Sequence, residues 1–290
     1  MNKTFLGHLC AILAIIAMTM SANSLSFLVG YLSPVEKLIG ALALSVLLLN
    51  LVYLPRHRLR KRSQEVSFAL AGLFGSALWV YFRGLALNSV NTGFFATAFA
   101  IVPIACVVAL RITGKAARFR GGFLAGGGFA LVGILLIAFA TEGFQFDLVG
   151  ILLTLAAAFS LGAFFAAYKS VVHTGHPIAI LRRVLFWGLI FSIPLCFLSS
   201  FNPAHYLDLF ELEAMLHMLL GAVVLPCGAA LALGSSQKHL GAEHASAYLY
   251  ALPVGPLLLA VLSGVGGLST LAAIGAVSVI VGIVLSAGKR

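Results

Sequence analysis

Residues 86–103, ALNSVNTGFFATAFAIVP, and residues 235–253, SSQKHLGAEHASAYLYALP, decide the fold of this chain. Each stretch ends in a proline and leads into an apolar run with spaced glycines. With Pro103 placed over Pro253, the register holds for about 50 residues, which indicates an internal repeat. A shift of one residue then pairs the glycines of the two runs, Gly126 and Gly133 with Gly275 and Gly282.

Each half of the chain carries five apolar runs of about 20 residues, the length at which a helix crosses a hydrocarbon core of about 30 Å. The ten predicted spans are 6–30, 34–54, 66–86, 91–111, 121–140, 148–168, 178–200, 214–235, 241–263 and 268–287. Because five is odd, the second copy must enter the bilayer in the opposite orientation, as in many carriers. The sequence therefore predicts an all-α integral membrane protein of ten transmembrane helices, built as two inverted five-helix repeats over residues 1–145 and 146–290.

The composition agrees with a membrane protein. Of the 290 residues, 61% are hydrophobic and 9% are charged, and the mean hydropathy is +1.10. In soluble domains about a quarter of the residues are charged. The connections between the runs are too short to fold independently. The first run is longer than the core of a signal peptide, so we expect it to be retained as the first span.

The formal net charge of +10 raises the question of a nucleic-acid partner, but the basic residues fall almost entirely in alternate connections. They cluster near residues 55–62 and 111–120, whereas the opposite connections contain acidic residues such as Glu142 and Glu211. This asymmetry follows the positive-inside rule. We therefore expect no nucleic acid as partner. We expect a multi-pass protein of the plasma membrane or bacterial inner membrane with both termini in the cytoplasm.

The order and spacing of several short motifs resemble the EamA-type carriers of the drug/metabolite transporter superfamily. In the first half the matching motifs are Leu32–Ser33–Pro34, Ala86–Leu87, Pro103, Gly126 and Gly133. In the second half they are Leu240–Gly241–Ala242, Tyr250–Ala251–Leu252–Pro253, Gly275 and Gly282. The resemblance covers nearly the whole chain and implies a secondary transporter that exports its solute. Residues 18–22 and 40–41 depart from it, because such carriers often have charged groups there.

Pro103 and Pro253 lie near the middle of their predicted spans. Each proline removes a backbone donor and leaves the carbonyl of Phe99 or Leu249, four residues earlier, without its helical partner. Irregular backbone at this depth is expected to face protein, water or a substrate cavity. A cavity is one interpretation of the paired prolines, and a kink that only improves packing is the other.

Trp79 and Arg83 stand near the end of the third predicted span and share a helix face with Ser76. These three residues offer a hydroxyl, an aromatic wall and a cation to a ligand, which suits a carboxylate or phosphate. In the alternative interpretation, Arg83 extends to the outer headgroups and Trp79 anchors the helix at the interface.

Aromatic residues flank the paired prolines in the fourth and ninth predicted spans. Phe95 and Phe99 share one face, and Ser246 and Tyr250 share another. Such surfaces stack on planar or apolar solutes while a hydroxyl fixes their orientation. Aromatic side chains of membrane helices also commonly contact lipid or neighbouring helices, and this alternative stays open.

Three further residues are candidates for coupling or gating. Glu36, at the start of the second span, can exchange protons, but residues 33–36 also have the pattern of a capping box that needs this carboxylate. Arg183 and Trp187, at the start of the seventh span, can form a second cation and indole pair. Their alternative role is to fix orientation at a cytoplasmic helix end.

The function that these features predict is secondary transport of a small metabolite across the cytoplasmic membrane by alternating access. An amino acid or related amphipathic compound fits the aromatic and cationic candidates. The alternatives are an organic-anion or vitamin carrier, or a transport-inactive scaffold. We expect no enzymatic activity, cofactor or metal site, because the sequence lacks an intramembrane His/Asp/Glu cluster and metal-ligand spacing. The expected partners are a small-molecule substrate and the lipid bilayer, with the chain as monomer or homodimer.

Overall fold

The chain folds into long apolar helices. The structure, a computed structural model, describes residues 3–53, 62–115, 121–141, 147–199, 201–264 and 269–287. Within these residues, nine helices are long and apolar enough to cross a membrane. They are α1 (Lys3–Phe27), α2 (Pro34–Val52), α3 (Gln64–Ala86), α4 (Thr92–Ile112), α5 (Gly121–Thr141), α6 (Leu148–Tyr168), α7 (Pro177–Leu198), α8 (Leu212–Leu240) and α10 (Thr270–Ala287). The described residues thus form the helices of a multi-pass membrane protein.

The remaining predicted span is a bent pair of helices rather than one straight helix. Its two parts, Ala242–Ala251 and Val254–Leu262, meet at an angle of 40°, and we call the pair α9. With α9 counted as one span, the described residues contain ten, as the sequence predicts. The other bounds agree with the predicted spans to within a few residues, except that α8 is longer. Six basic residues of the predicted topology, in 54–61 and 116–120, lie outside the described residues.

Local sequence signals explain where several helices begin and end. The capping box predicted at the start of α2 is present, with Pro34 in the first turn. Asn91 caps α4 by accepting a 3.1 Å hydrogen bond from the Phe94 amide. Gly114 ends α4 at a φ of 69°, a conformation that glycine adopts without steric cost. The neighbouring Lys115 then donates from Nζ to the last turn of α6, at the Ala166 carbonyl, over 2.8 Å.

Two helices contain π-helical segments, Leu73–Leu78 in α3 and Met218–Val224 in α8. A π-helical turn widens the helix and disturbs the regular backbone hydrogen bonds. In α8 a side chain of another helix compensates, because the Ser21 hydroxyl of α1 donates to the Gly221 carbonyl over 2.6 Å. These segments occupy the third helix of each half of the sequence.

The helices form two compact units, each built from both halves of the chain. Unit 1 comprises residues 1–81 and 167–239, and unit 2 comprises residues 82–166 and 240–290. Large apolar side chains remain exposed in both units, including Phe197 and Phe139, which are 89% and 65% exposed. Such surfaces suit contact with lipid, since soluble monomers rarely expose extended apolar patches.

Glycines bring α5 and α10 of unit 2 into close contact. A Cβ atom on Gly133 would lie 2.5 Å from the Gly275 carbonyl oxygen, and one on Gly126 would lie 2.5 Å from the Gly282 carbonyl oxygen. A larger residue at these positions would force the helices apart. This close packing is typical of small residues at membrane helix interfaces.

In unit 1, α7 packs against both α2 and α3. The contact between α3 and α7 is tight, because a Cβ atom on Gly72 would lie 2.5 Å from the Gly188 backbone nitrogen. Toward the other end of these helices, Val35, Leu38 and Leu195 form a buried apolar cluster. Unit 1 therefore holds together α2, α7 and the part of α3 up to Tyr81.

Candidate functional site

Trp79 and Arg83 lie in the regular last part of α3, directly after its π-helical segment. Trp79 is buried and Arg83 is half-buried. Ser76 belongs to that π-helical segment, where the regular spacing of three and four residues no longer holds. Its Cβ atom lies against α7, 2.7 Å from a Cβ placed on Gly188.

Phe95 and Phe99 meet as their spacing predicts. Their ring centroids lie 6.3 Å apart at an interplanar angle of 87°, which is an edge-to-face arrangement. Phe95 is 3% exposed, whereas Phe99 is half-buried. The pair therefore presents one covered and one partly accessible ring.

Ser246 and Tyr250 are both fully buried in unit 2. The Ser246 hydroxyl donates to the Glu243 carbonyl over 2.9 Å, so it serves its own helix in this conformation. Tyr250 packs among residues of α5 and α10, including Ile134 and Val279. Its hydroxyl approaches Ser286 but makes no well-aligned hydrogen bond among the described residues.

The two prolines differ in their local structure. Pro253 lies at the bend of α9, where the Leu252 amide donates to the Leu249 carbonyl over 3.0 Å. The carbonyl that the sequence predicted to be free is thus satisfied by a tighter turn. Pro103 lies inside the longer part of α4, and the irregular turn of that helix comes earlier, at residues 96–97.

Glu36 anchors the chain between α7 and α8 to the start of α2. Its carboxylate is fully buried and accepts hydrogen bonds from the Ser33 amide at 2.7 Å and the Asn202 amide at 2.8 Å. The His205 Nδ1 atom lies 3.1 Å from the same carboxylate. We call these contacts the Glu36 clasp. The capping role considered for this residue is present, and the contacts with Asn202 and His205 extend it.

Tyr206 completes the Glu36 clasp from the 3₁₀-helix Pro203–Phe210. Its hydroxyl donates to the Glu36 backbone carbonyl over 2.6 Å, and its ring packs over Gly40. Burial and the nearby Glu36 carboxylate raise the pKa of Tyr206 to about 12. The hydroxyl therefore stays protonated and keeps this donor near neutral pH.

Arg183 and Trp187 share a partner that the sequence did not reveal. The Oε1 atom of Glu65, near the start of α3, accepts a 2.7 Å hydrogen bond from the Arg183 Nε atom and another of 2.7 Å from the Trp187 indole. We call this the Glu65 clasp. Its carboxylate and guanidinium are 25% and 39% exposed, so water screens the ion pair. The Trp187 ring stacks further on Phe191, with centroids 5.8 Å apart.

A second feature that sequence reasoning missed lies near the end of α8. Ser236 and Gln237 are 0% and 4% exposed. Neither the Ser236 hydroxyl nor the two polar atoms of the Gln237 amide have a hydrogen-bond partner among the described residues. In α1, the buried Thr19 hydroxyl likewise lacks a partner within the described part of the chain. The signal in the sequence is a run of five polar residues, 235–239 (SSQKH), at the end of a largely apolar helix.

The candidate residues are thus polar and aromatic. Among the described residues, no group of three or more His, Cys, Asp or Glu side chains comes together that could hold a metal ion. The class that fold and site define is a multi-pass helical membrane protein with isolated buried polar groups.

Comparison with known proteins gives a match at the level of the fold alone. No family model matches the chain, and no curated protein matches it. One similar solved structure, described as a crystal structure of a protein, shares 19% sequence identity with the chain. The match covers 96% of this chain and 95% of the other, with a TM-score of 0.74. At this identity the likeness shows the fold alone.

Proposed function

We propose that this chain is a secondary transporter that moves a small metabolite across the plasma or bacterial inner membrane by alternating access. In this proposal it is an EamA-type carrier of the drug/metabolite transporter superfamily, with two inverted five-helix repeats and both termini in the cytoplasm. The observation that carries the proposal is the pairing of glycines between α5 and α10.

The glycines that contact each other in space are not the glycines that correspond in the repeat register. In the repeat register, Gly126 corresponds to Gly275 and Gly133 corresponds to Gly282. In space, however, Gly126 packs against Gly282 and Gly133 packs against Gly275. A two-fold axis perpendicular to two antiparallel helices produces this exchange, because each position then meets the other position of the partner. The pairing supports an inverted relation between the repeats, which is common among secondary transporters.

The helix irregularities also occur at corresponding places. The π-helical segments lie in α3 and α8, the third helix of each proposed repeat. Irregular turns at 96–97 in α4 and Tyr248–Ala251 in α9 fall in the fourth helix of each. Broken and irregular membrane helices are costly in lipid and are typical of carriers, in which they line a solute path.

The proposed solute is an amino acid or a related amphipathic compound, with export as the direction. The residues proposed to contact it are Trp79, Arg83, Phe95, Phe99, Ser246 and Tyr250. Aromatic rings cover its apolar part, and a guanidinium is suited to a carboxylate. A gradient of protons or of the solute itself would drive transport.

The decisive experiment is solute counterflow with purified protein in liposomes. Vesicles are loaded with one unlabelled amino acid at a time, and uptake of the same radiolabelled amino acid is followed against protein-free vesicles. A carrier gives saturable uptake that requires solute inside. The matched variant Tyr250→Phe removes one hydroxyl from the proposed site and should lower the rate. Folded protein that exchanges no amino acid, organic anion or vitamin would instead support the transport-inactive scaffold.

A further inference from the structure

Ser236 and Gln237 are the two buried residues of the polar run 235–239 near the end of α8. Gln237 is 4% exposed, and both its amide nitrogen and its amide oxygen lack hydrogen-bond partners among the described residues. The fully buried Ser236 hydroxyl lacks one in the same part of the chain. Native structures pair most buried polar groups, so three unsatisfied atoms on adjacent residues call for an explanation.

One small residue and one polar side chain lie near Gln237 within unit 1. Gly234 lies three residues before Gln237 and therefore on nearly the same helix face. A Cβ atom on Gly234 would lie 2.6 Å from the Tyr168 hydroxyl oxygen. The glycine thus makes room for a phenol on the face of α8 that carries the Gln237 amide.

The pair lies at the end of unit 1 where α2 finishes. Near the start of α8, Met218 contacts Gly40 in the first half of α2, and further along Cys227 hydrogen-bonds with Ser45. The two helices therefore run in the same direction. Gln237 consequently lies at the same end of unit 1 as Asn50 in the last turn of α2.

Among the described residues, three charged groups near this end of unit 1 are engaged or exposed. Arg182 donates to the Asn50 side chain at 3.1 Å, and Arg183 pairs with Glu65. Lys238, the neighbour of Gln237 in sequence, is exposed. The buried amide thus has no charged side chain as hydrogen-bond partner among the described residues.

We propose that Ser236 and Gln237 bind a neutral group that is both donor and acceptor, such as a carboxamide, on the transported solute. The inference rests on the proposed transport function and names the chemistry of the solute. A primary amide offers donors and an acceptor side by side, which matches another amide. A carboxylate has no donor and an ammonium has no acceptor, and either would bring an uncompensated charge into the site. In this conformation the site is closed over the unsatisfied amide.

Thermal stability separates a binding role from a structural one. Gln237→Met keeps the length of the side chain and removes its polar atoms. Because an unsatisfied amide destabilises the folded state, the melting temperature should rise by about 2 °C or more. Ser192→Ala is the matched control, since the fully buried Ser192 hydroxyl is satisfied by the Gly188 carbonyl at 2.7 Å. That variant should melt at the same temperature as the original protein or lower. A fall in the melting temperature of Gln237→Met would overturn the proposal.

Ligand binding is tested with nicotinamide and nicotinate, which share a ring and differ in the amide or carboxylate that it carries. Nicotinamide should stabilise the purified protein against heat more than nicotinate does. The affinity for nicotinamide should fall about tenfold in Gln237→Met, as expected for the loss of hydrogen bonds to a buried group. L-glutamine serves as a second compound with a primary amide. The proposed site would be overturned by equal stabilisation with nicotinamide and nicotinate, or by no stabilisation with nicotinamide or L-glutamine. An unchanged affinity for nicotinamide in Gln237→Met would overturn it as well.

Counterflow in liposomes then distinguishes this inference from the proposed function. Counterflow that remains unchanged in Gln237→Met would refute the amide site and retain the transporter. Amide binding that depends on Gln237, without counterflow of the same compound, would retain a binding site and refute transport.

Discussion

The Glu36 clasp makes a quantitative prediction about stability. Replacing Glu36 by alanine removes the acceptor for the amides of Ser33 and Asn202, which lie 2.7 and 2.8 Å from the carboxylate. A hydrogen bond to a charged acceptor contributes about 1–3 kcal/mol, so Glu36→Ala should cost about 2–6 kcal/mol. For a protein of this size that corresponds to a fall in melting temperature of roughly 4–12 °C.

Two further variants of the Glu36 clasp should give graded losses in the free energy of unfolding. Glu36→Gln keeps one acceptor oxygen and brings an NH2 group toward the other donor, so it should cost about half as much as alanine. His205→Ala removes a contact from a side chain that is 44% exposed. Because solvent screens such a contact, its loss should cost about 1 kcal/mol or less.

Intrinsic fluorescence during heating is a suitable assay for this series. The chain has two tryptophans, Trp79 and Trp187, and both belong to unit 1 together with Glu36. The fluorescence transition therefore reports the unit that the clasp stabilises. A loss in His205→Ala as large as that in Glu36→Ala would refute the assignment of the stabilisation to the two backbone amides, and so would an unchanged transition in Glu36→Ala.

Thermal unfolding of further variants tests three other contacts. Gly133→Leu should cost about 3 kcal/mol through overpacking against α10. Gly128→Leu is the control and should change stability by less than about 0.5 kcal/mol, because no atom lies within 4 Å of a Cβ at Gly128. Equal effects of the two variants would contradict the close packing of α5 against α10. Ser21→Ala removes its 2.6 Å bond to the π-helical segment of α8 and should cost about 1 kcal/mol, measured as a lower melting temperature. Glu65→Ala and Arg183→Ala should show a coupling energy of about 0.5–1 kcal/mol in a double-mutant cycle, and fully additive losses would contradict their pairing.

Hydropathy and caps predict most of the helices, because both act locally. An apolar run of about 20 residues needs a helix in lipid whatever it packs against. The capping box at Ser33 and Glu36 is likewise defined within four residues. The π-helical segments in α3 and α8 cannot be predicted in this way, because they depend on contacts with neighbouring helices. The hydrogen bond from Ser21 of α1 to α8 is an example.

The side-chain partners escape prediction for a related reason. Glu65 and Arg183 are 118 residues apart in the chain, and the sequence contains nothing that pairs this acid with that cation. The edge-to-face contact of Phe95 and Phe99 follows from their spacing on one helix, so it is predictable. The lack of partners around Gln237 becomes visible only when every neighbour has been placed in three dimensions.

The buried polar groups of unit 1 divide into two kinds, and the division has opposite consequences for mutation. The Glu36 carboxylate accepts hydrogen bonds on both oxygens. It ties the start of α2 to the chain between α7 and α8, so its loss destabilises the fold. The Gln237 amide is as deeply buried but meets none among the described residues, so an apolar replacement should stabilise the fold. A protein selected for stability alone would have satisfied both groups or lost the second. In the amide-binding proposal, a ligand that pairs with the Gln237 amide in another conformation offsets the cost of the unpaired amide. Opposite shifts in melting temperature for Glu36→Ala and Gln237→Met would support this division, and shifts of the same sign would refute it.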